Sequence, residues 1–522
     1  MRAASILSMI CPAGAGAWFG YGGERPGGLG VPALAAACAA GVLLALAYAQ
    51  EPVWWAAWIA PALGLAALLL APKHRRLWLG LFIGLAGGAT SLSYYAVTTA
   101  SWPMAIALVS GRAILWMWML RIAARAAEEW RPAAAVFVLP VLLVGAETLI
   151  SRLSPHGAAG SLAYSQMDFL TLLQLASLAG TDGINFIVAL GASWLGLMLA
   201  CAFGWRGRAG MRSATAIAIL AVAAALAFGQ SRLAAAPEVA DGPEVALIAQ
   251  DRLANRGDVA EFWRAYGQEL ARAAQPGRIV ILPEAMLVLP QGIANEVANE
   301  LASLARGRSA TIVAGLVVEQ DRLTTNRALV VQPDGGMVWY HKQHLVPVLE
   351  SSISPGRSPV VIEVAGARTG IAICKDMHFP SLGRDYARQG ADLMLVPAAD
   401  FVVDAWMASR MTALRGVEGG YAIARTARTG SLTISDRYGR ILAEQASGPR
   451  ATTLIARLPA VTRNGPTIFV QHGRVFGLLC LVAAAGMILM LRRWSSKGAA
   501  SASAEESAGH ASVEAGHCPA SL

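Results

Sequence analysis

Charged side chains are scarce in this chain. Only 14% of its 522 residues are Asp, Glu, Lys or Arg, against 56% hydrophobic ones, where soluble domains carry roughly 25% charged residues. That excludes an ordinary soluble globular protein and implies a membrane protein, long enough to carry a separate folded domain beside its spans. Cysteine is also sparse. Of the six, Cys38, Cys201 and Cys480 sit in apolar runs, Cys11 and Cys518 lie in the terminal stretches, and Cys374 alone belongs to the large polar region. One cysteine makes no disulfide framework there, and the spacing fits no zinc site. The formal net charge of +9 would suit nucleic acid, but the basic residues fall mostly in short loops between apolar runs. That is the pattern membrane orientation requires, so no nucleic-acid partner is expected.

What the chain does have is long apolar runs. Spans of roughly 20 residues are expected at about 30–49, 53–72, 77–98, 103–120, 132–150, 184–204 and 213–230, with an eighth at 473–491. Lys73, Arg75 and Arg76 follow the second span, Arg121, Arg125 and Arg131 the fourth, Arg206, Arg208 and Arg212 the sixth, and Arg492, Arg493 and Lys497 the last. The intervening loops carry almost none, Arg152 excepted. By the positive-inside rule both termini are then cytoplasmic, and residues 231–472 form an extracytoplasmic domain between the seventh and eighth spans. Residues 1–29 read as a cytoplasmic or interfacial leader. Residues 492–522, rich in Ala, Ser, Glu and Gly, read as a disordered cytoplasmic tail. Arg112 and Glu147 lie inside apolar runs, where burying either alone is costly, so a pairing, a water-filled cavity or a contact with a substrate headgroup is expected.

From Pro243 the texture changes to short β-branched runs separated by charged helical stretches. Strands are expected at 244–249, 278–282, 311–318, 327–331, 369–373, 392–396, 421–426 and 432–435, and helices at 256–274, 291–306, 380–389 and 404–419. Gln332-Pro-Asp-Gly-Gly336 and Asp436 to Gly439 read as turns. Such alternation implies an α/β domain. Three residues at strand ends or after a turn supply what thiol chemistry needs. Cys374 is the nucleophile, Glu284 the base that takes its proton, and Lys342 the cation that stabilises thiolate and oxyanion. Lys375 beside the thiol is a supporting candidate. His341 and His344 flank Lys342 without a third ligand nearby, and His378 follows Cys374 by four residues without an evident orienting partner, so neither a metal nor a Cys-His pair is expected.

The ordered set Pro-Glu284, Lys342-x-His-Leu-Val-Pro347 and Ile-Cys374 resembles the nitrilase superfamily, with its Glu, Lys and Cys triad. Within it the chain is similar to the apolipoprotein N-acyltransferase family from about residue 30 to 491. Tyr164-Ser-Gln166, Gln174-Leu-Ala176, Gly180-x-x-Gly183-x-x-Phe186, Asn326-x-Ala-Leu-Val-Val-Gln-Pro-Asp-Gly335, Arg388-Gln-Gly-Ala-Asp392 and Arg415-x-x-Glu418 carry the likeness. Glu147 falls where the family has a Glu, and Glu350 where it has a second functional glutamate. The sequence departs from the pattern after the cysteine, at Cys374-Lys375-Asp376, and in the loop Ala398-Ala-Asp400-Phe-Val-Val-Asp404-Ala-Trp406, which matches the family loop in part. The resemblance implies a helical membrane domain of about eight spans bearing a nitrilase-like αββα sandwich in the bacterial inner membrane, on its periplasmic side. It also implies an acyltransferase without cofactor, taking an acyl chain from a phospholipid through a Cys374 thioester to the N-terminal amine of a lipoprotein. Trp406, with Arg112 and Glu147, would then be of substrate or structural use. The alternative is a membrane-tethered amidase or hydrolase of the same superfamily, acting on a C–N bond.

Overall fold

The computed structural model describes residues 30–207, 210–237, 242–251, 253, 255–458 and 465–493. The expected leader and nearly all of the expected tail lie outside these residues. In hydrocarbon each backbone N–H and C=O must be satisfied within its own segment, so the apolar runs fold as helices. They are Val31–Ala47, Ala56–Leu70, Arg76–Gly87 continued by Leu92–Thr99, Trp102–Glu129, Val138–Leu153, Ala176–Ala202, Met211–Ala234 and Val475–Arg493, one for each expected span. Six of these segments are long and apolar enough to cross a membrane, whereas the first two have only 17 and 15 residues. At 1.5 Å per residue these two reach roughly 26 and 23 Å, short of a hydrocarbon core of about 30 Å. The polar Gln50-Glu51-Pro52 turn and the helix-stopping Pro72 set their ends.

Three further helices differ from expectation for local reasons. The third is broken by a 3₁₀ turn at Ala89–Ser91. The fourth continues to Glu129, and its C-terminal end carries ion pairs, Arg125 to Glu129 at 2.7 Å and Arg76 to Glu128 at 2.8 Å. The sixth starts at Ala176 and bends at Ala179 and Gly180, where Gly180 has a φ of 64° and a Cβ would meet the Phe469 ring at 2.6 Å.

The polar region builds two sheets. In chain order the strands are β1 (Glu244–Ala249), β2 (Ile279–Ile281), β3 (Leu287–Pro290), β4 (Thr311–Gln320), β5 (Leu323–Val331), β6 (Met337–His341), β7 (Val360–Val364), β8 (Ala367–Ile371), β9 (Leu393–Ala398), β10 (Ala422–Ala427), β11 (Gly430–Ser435), β12 (Ile441–Ser447) and β13 (Thr452–Arg457). One sheet runs β13-β1-β2-β4-β5-β6, with β3 beside β4, and the other β12-β11-β10-β9-β8-β7. Period-2 alternation explains the layering. In β1, Ala246 and Ile248 face the helices Val259–Ala273 and Gln291–Arg308, while Val245, Leu247 and Ala249 face the second sheet. In β9, Leu393 and Leu395 face the first sheet, while Met394 and Val396 pack with Leu382 and Tyr386 of the helix Pro380–Arg388. With both faces covered, these strands read as continuous apolar runs, and the result is an αββα sandwich. Asp258 caps the Val259–Ala273 helix by accepting the Glu261 N–H at 2.9 Å, a contact worth about 1 kcal/mol.

The helix Ala405–Gly419 joins the two parts. Its Met411, Leu414 and Val417 belong to the same apolar cluster as the membrane helices, and its Arg415 donates to the Tyr164 hydroxyl at 3.0 Å. Gln174 adds a bond to the Tyr438 carbonyl at 2.8 Å.

Candidate active site

The parallel strands β2, β8 and β9 end at one edge of the sandwich, and the segments that follow them carry Glu284, Cys374 and Asp400. Ligands of open α/β sheets bind outside such carboxyl ends. After β2 the chain makes a tight turn through Ala285 at φ 51°, and Glu284 is fixed by its N–H to the Ala398 carbonyl at 3.2 Å. Cys374 follows β8 with a φ of 45°, a left-handed conformation that costs a non-glycine residue about 1–3 kcal/mol. Asp376 holds that turn. Its carboxylate accepts the Ile373 N–H at 3.0 Å and the Tyr340 hydroxyl at 2.7 Å, and on its other oxygen the backbone N–H groups of Gln343 (3.1 Å) and His344 (2.8 Å). One fully buried carboxylate thus ties the cysteine turn to the loop after Lys342.

Lys342 itself is 2% exposed. Its ammonium donates to Glu284 at 2.7 Å and to both oxygens of Glu350 at 2.9 Å. Asn326 donates from one amide nitrogen to the same two carboxylates, at 2.7 and 3.1 Å, and Glu350 also accepts the Val346 N–H at 2.6 Å. Burial favours the neutral amine of Lys342, but Glu284, Cys374 and Glu350 outweigh it and hold its pKa above the ordinary value. The thiol of Cys374 is pushed well up, first by burial and then by the Glu284 carboxylate, with Lys342 opposing. A resting thiol beside a carboxylate is therefore the state at neutral pH, rather than the thiolate that a neighbouring ammonium alone would favour.

Glu284, Lys342, Glu350, Lys375 and Cys374 line one cavity of about 630 Å³. Lys375 is buried rather than exposed, donates to the Leu345 carbonyl at 2.8 Å, and has its pKa pushed down to about 8 by burial and by Lys342. His378 also lines the cavity, but burial and the nearby Lys375 keep it neutral, well below the usual imidazole range. His344 stacks on Phe379 with ring centroids 3.7 Å apart. Trp406 is not brought to this cavity. It packs against the apolar cluster shared with the membrane helices, under Arg410 at 5.0 Å.

Arg112 and Glu147 line a second cavity, of about 350 Å³, between the membrane helices. No ion pair between them forms. Arg112 bonds Ser91 at 3.2 Å and the Tyr95 hydroxyl and lies 4.4 Å above the Tyr48 ring. Glu147 takes the Leu162 N–H at 3.0 Å together with Ser161 and Asn185. Tyr94 borders both this cavity and the one containing Cys374.

Sequence reasoning did not assign Tyr94, Asp376, or the buried Asp400–Arg425 pair whose second bond measures 2.8 Å. An acidic residue two places after the cysteine was the available signal for Asp376. Nothing local marked Tyr94.

Residues 40–194 match the family model for the apolipoprotein N-acyltransferase N-terminal domain, and residues 244–464 match the carbon-nitrogen hydrolase model. An apolipoprotein N-acyltransferase of Geobacter metallireducens is 26% identical over 491 residues, covering 85% of this chain and 92% of the relative. The chain belongs to the apolipoprotein N-acyltransferase family. Another apolipoprotein N-acyltransferase, from Shewanella oneidensis, is 24% identical over 63% of this chain and 68% of its own length. Other relatives cover shorter stretches of the chain. The human omega-amidase is 30% identical over 24% of this chain and 53% of its own. A solved amidase from Nesterenkonia sp., 22% identical, aligns with 46% of this chain and 97% of its own at a TM-score of 0.39.

Proposed function

We propose that this chain moves a fatty acyl chain from a membrane phospholipid to the N-terminal amine of a lipoprotein, with Glu284, Lys342 and Cys374 as its catalytic residues. Glu284 takes the thiol proton as Cys374 attacks the ester carbonyl of the phospholipid. Lys342 and the backbone N–H after Cys374 stabilise the oxyanion. Glu284 returns its proton to the departing lysophospholipid, leaving a thioester on Cys374. The acceptor amine then attacks that thioester. Glu350 and Asn326 act through Lys342 and Glu284, holding the ammonium and carboxylate in register. The catalytic domain, residues 231–472, faces the periplasm of a bacterial inner membrane, with both chain ends on the cytoplasmic side.

The observation that carries this reading is Tyr94, a membrane-helix residue that walls both the intramembrane cavity and the cavity of the thiol. In this reading a lipid seated between the helices presents its ester past Tyr94 to Cys374. Val348 (65% exposed) and Val402 (81% exposed) stand on the loops that include the cavity-lining Leu349 and Phe401, an apolar rim suited to a lipid surface. The test is purified full-length protein with isotope-labelled phospholipid and a diacylglyceryl-cysteine peptide. The expected result is a labelled acyl adduct on Cys374 that chases into the peptide amide. Label recovered only as free fatty acid assigns the chain to the hydrolases instead.

A further inference from the structure

The thiol cavity is walled by five carboxylates, and four are accounted for. Glu284 and Glu350 share Lys342, Asp400 pairs with Arg425, and Glu319 is exposed to solvent. The fifth is Asp404, which begins the helix Ala405–Gly419 and is 5% exposed. Its Oδ1 is buried without a hydrogen-bond partner. Such an orphan acceptor costs about 1–3 kcal/mol unless something arrives to donate to it. The charged or titratable groups around it are Asp400, Arg425 and Tyr94. Arg425 is held by Asp400 through both terminal guanidinium nitrogens; its charge reaches Asp404 and partly offsets the burial, but it makes no hydrogen bond to the orphan Oδ1.

We infer that Asp404 is the binding site for the ammonium group of the acyl acceptor, and that it takes the first of the two protons this group must lose. The inference rests on the transfer reading above. An amine arrives as an ammonium, with three protons and no free electron pair. The amide product keeps one proton, so two must leave. Asp404 takes one before attack, which frees the nitrogen lone pair. The nitrogen then bonds to the thioester carbonyl carbon. As the C–S bond breaks, Glu284 carries the second proton from nitrogen to the departing sulfur and restores the thiol. Asp404 releases its own proton to water at the cavity mouth. With Asp404 taking the first proton, Glu284 stays ionised for the second. Burial, with Asp400 adding to it, pushes the Asp404 carboxyl up to about 7, close to an α-amino group at about 7.7–8.0, so the transfer runs nearly level.

The experiment uses the full-length protein in detergent with phosphatidylethanolamine carrying labelled acyl chains. Wild type, Asp404→Asn and Asp404→Glu are compared in thioester formation on Cys374 and in its discharge to two acceptors. One is a diacylglyceryl-cysteine dipeptide, which bears an ammonium; the other is hydroxylamine, which is neutral near pH 7. With Asp404→Asn, thioester forms within about threefold of wild type and hydroxylamine discharges it normally, but the KM for the dipeptide rises about tenfold or more, as loss of a charge-assisted bond implies. Asp404→Glu recovers most of that loss. An unaltered dipeptide KM in Asp404→Asn overturns the inference, as does a loss of hydroxylamine discharge that Asp404→Glu shares, which would mark a structural role. A wild-type protein that never acquires the acyl chain overturns the transfer reading, and this inference with it.

Discussion

Replacing Asp376 by Asn changes one atom and tests whether the thiol turn is positioned from the lysine loop. One oxygen of Asp376 accepts from Ile373 and Tyr340, the other from Gln343, His344 and, at 3.2 Å, the His344 ring. Asn has a single acceptor oxygen. If that oxygen keeps the lysine loop, the new NH₂ faces the Ile373 N–H, and a buried donor is left unmade at about 1–3 kcal/mol. The Tyr340 hydroxyl can turn to accept, but the remaining bonds lose their charge assistance, which roughly halves each. The sum is about 3–5 kcal/mol, or roughly 10 °C in the unfolding midpoint of a domain this size. The left-handed Cys374 backbone also loses its restraint, so thioester formation slows by about tenfold or more. Thermal unfolding of the full chain in detergent, with mass spectrometry of the acyl adduct in time, reads both. A midpoint within about 2 °C of wild type together with unaltered acylation would refute the positioning argument, since no rearrangement supplies two acceptors from one oxygen.

Glu284→Gln removes the proton acceptor of the first step, so thioester formation falls by roughly a hundred- to ten-thousandfold, as expected for loss of a general base; a fall below tenfold assigns the base elsewhere. Because burial and Glu284 raise the Cys374 pKa, the protonated thiol persists through neutral pH and the reactive thiolate grows as pH rises. Iodoacetamide labelling of Cys374 should therefore climb steadily from about pH 7 to about pH 10, and a rate already level below pH 8 contradicts the raised pKa.

Much of this architecture was legible because its strands are buried on both faces. Glu244–Ala249 emerged with the expected ends, and the turn at Gln332–Gly336 does join β5 to β6. β12 and β13 escaped notice because Glu444, Gln445, Thr452 and Thr453 interrupt their apolar pattern, and both strands lie at sheet edges without a fully buried residue. β3 is only four residues long, too short for periodicity to register. Glu284, Lys342 and Cys374 were weak signals singly and became legible as a set and by resemblance, and Glu350 by resemblance alone. Asn326 stood within a quoted motif without a role, because its bond to two carboxylates depends on β5 pairing with β6 and on where Glu350 folds back. Asp404 stood in the loop that matches the family in part, without a role of its own. Tyr94 could not be read as a site residue, because Cys374 and Asp404, the groups it faces, lie hundreds of positions away.

The helix Ala405–Gly419 starts with Asp404 in the thiol cavity and is embedded by Met411, Leu414 and Val417 in the packing of the transmembrane bundle. It works as a strut. A sideways adjustment of the bundle, such as a thinner or thicker bilayer would impose, is expected to reach the carboxylate at its tip. Bilayer thickness should then tune the transfer rate, a dependence that vesicles of graded acyl-chain length would read.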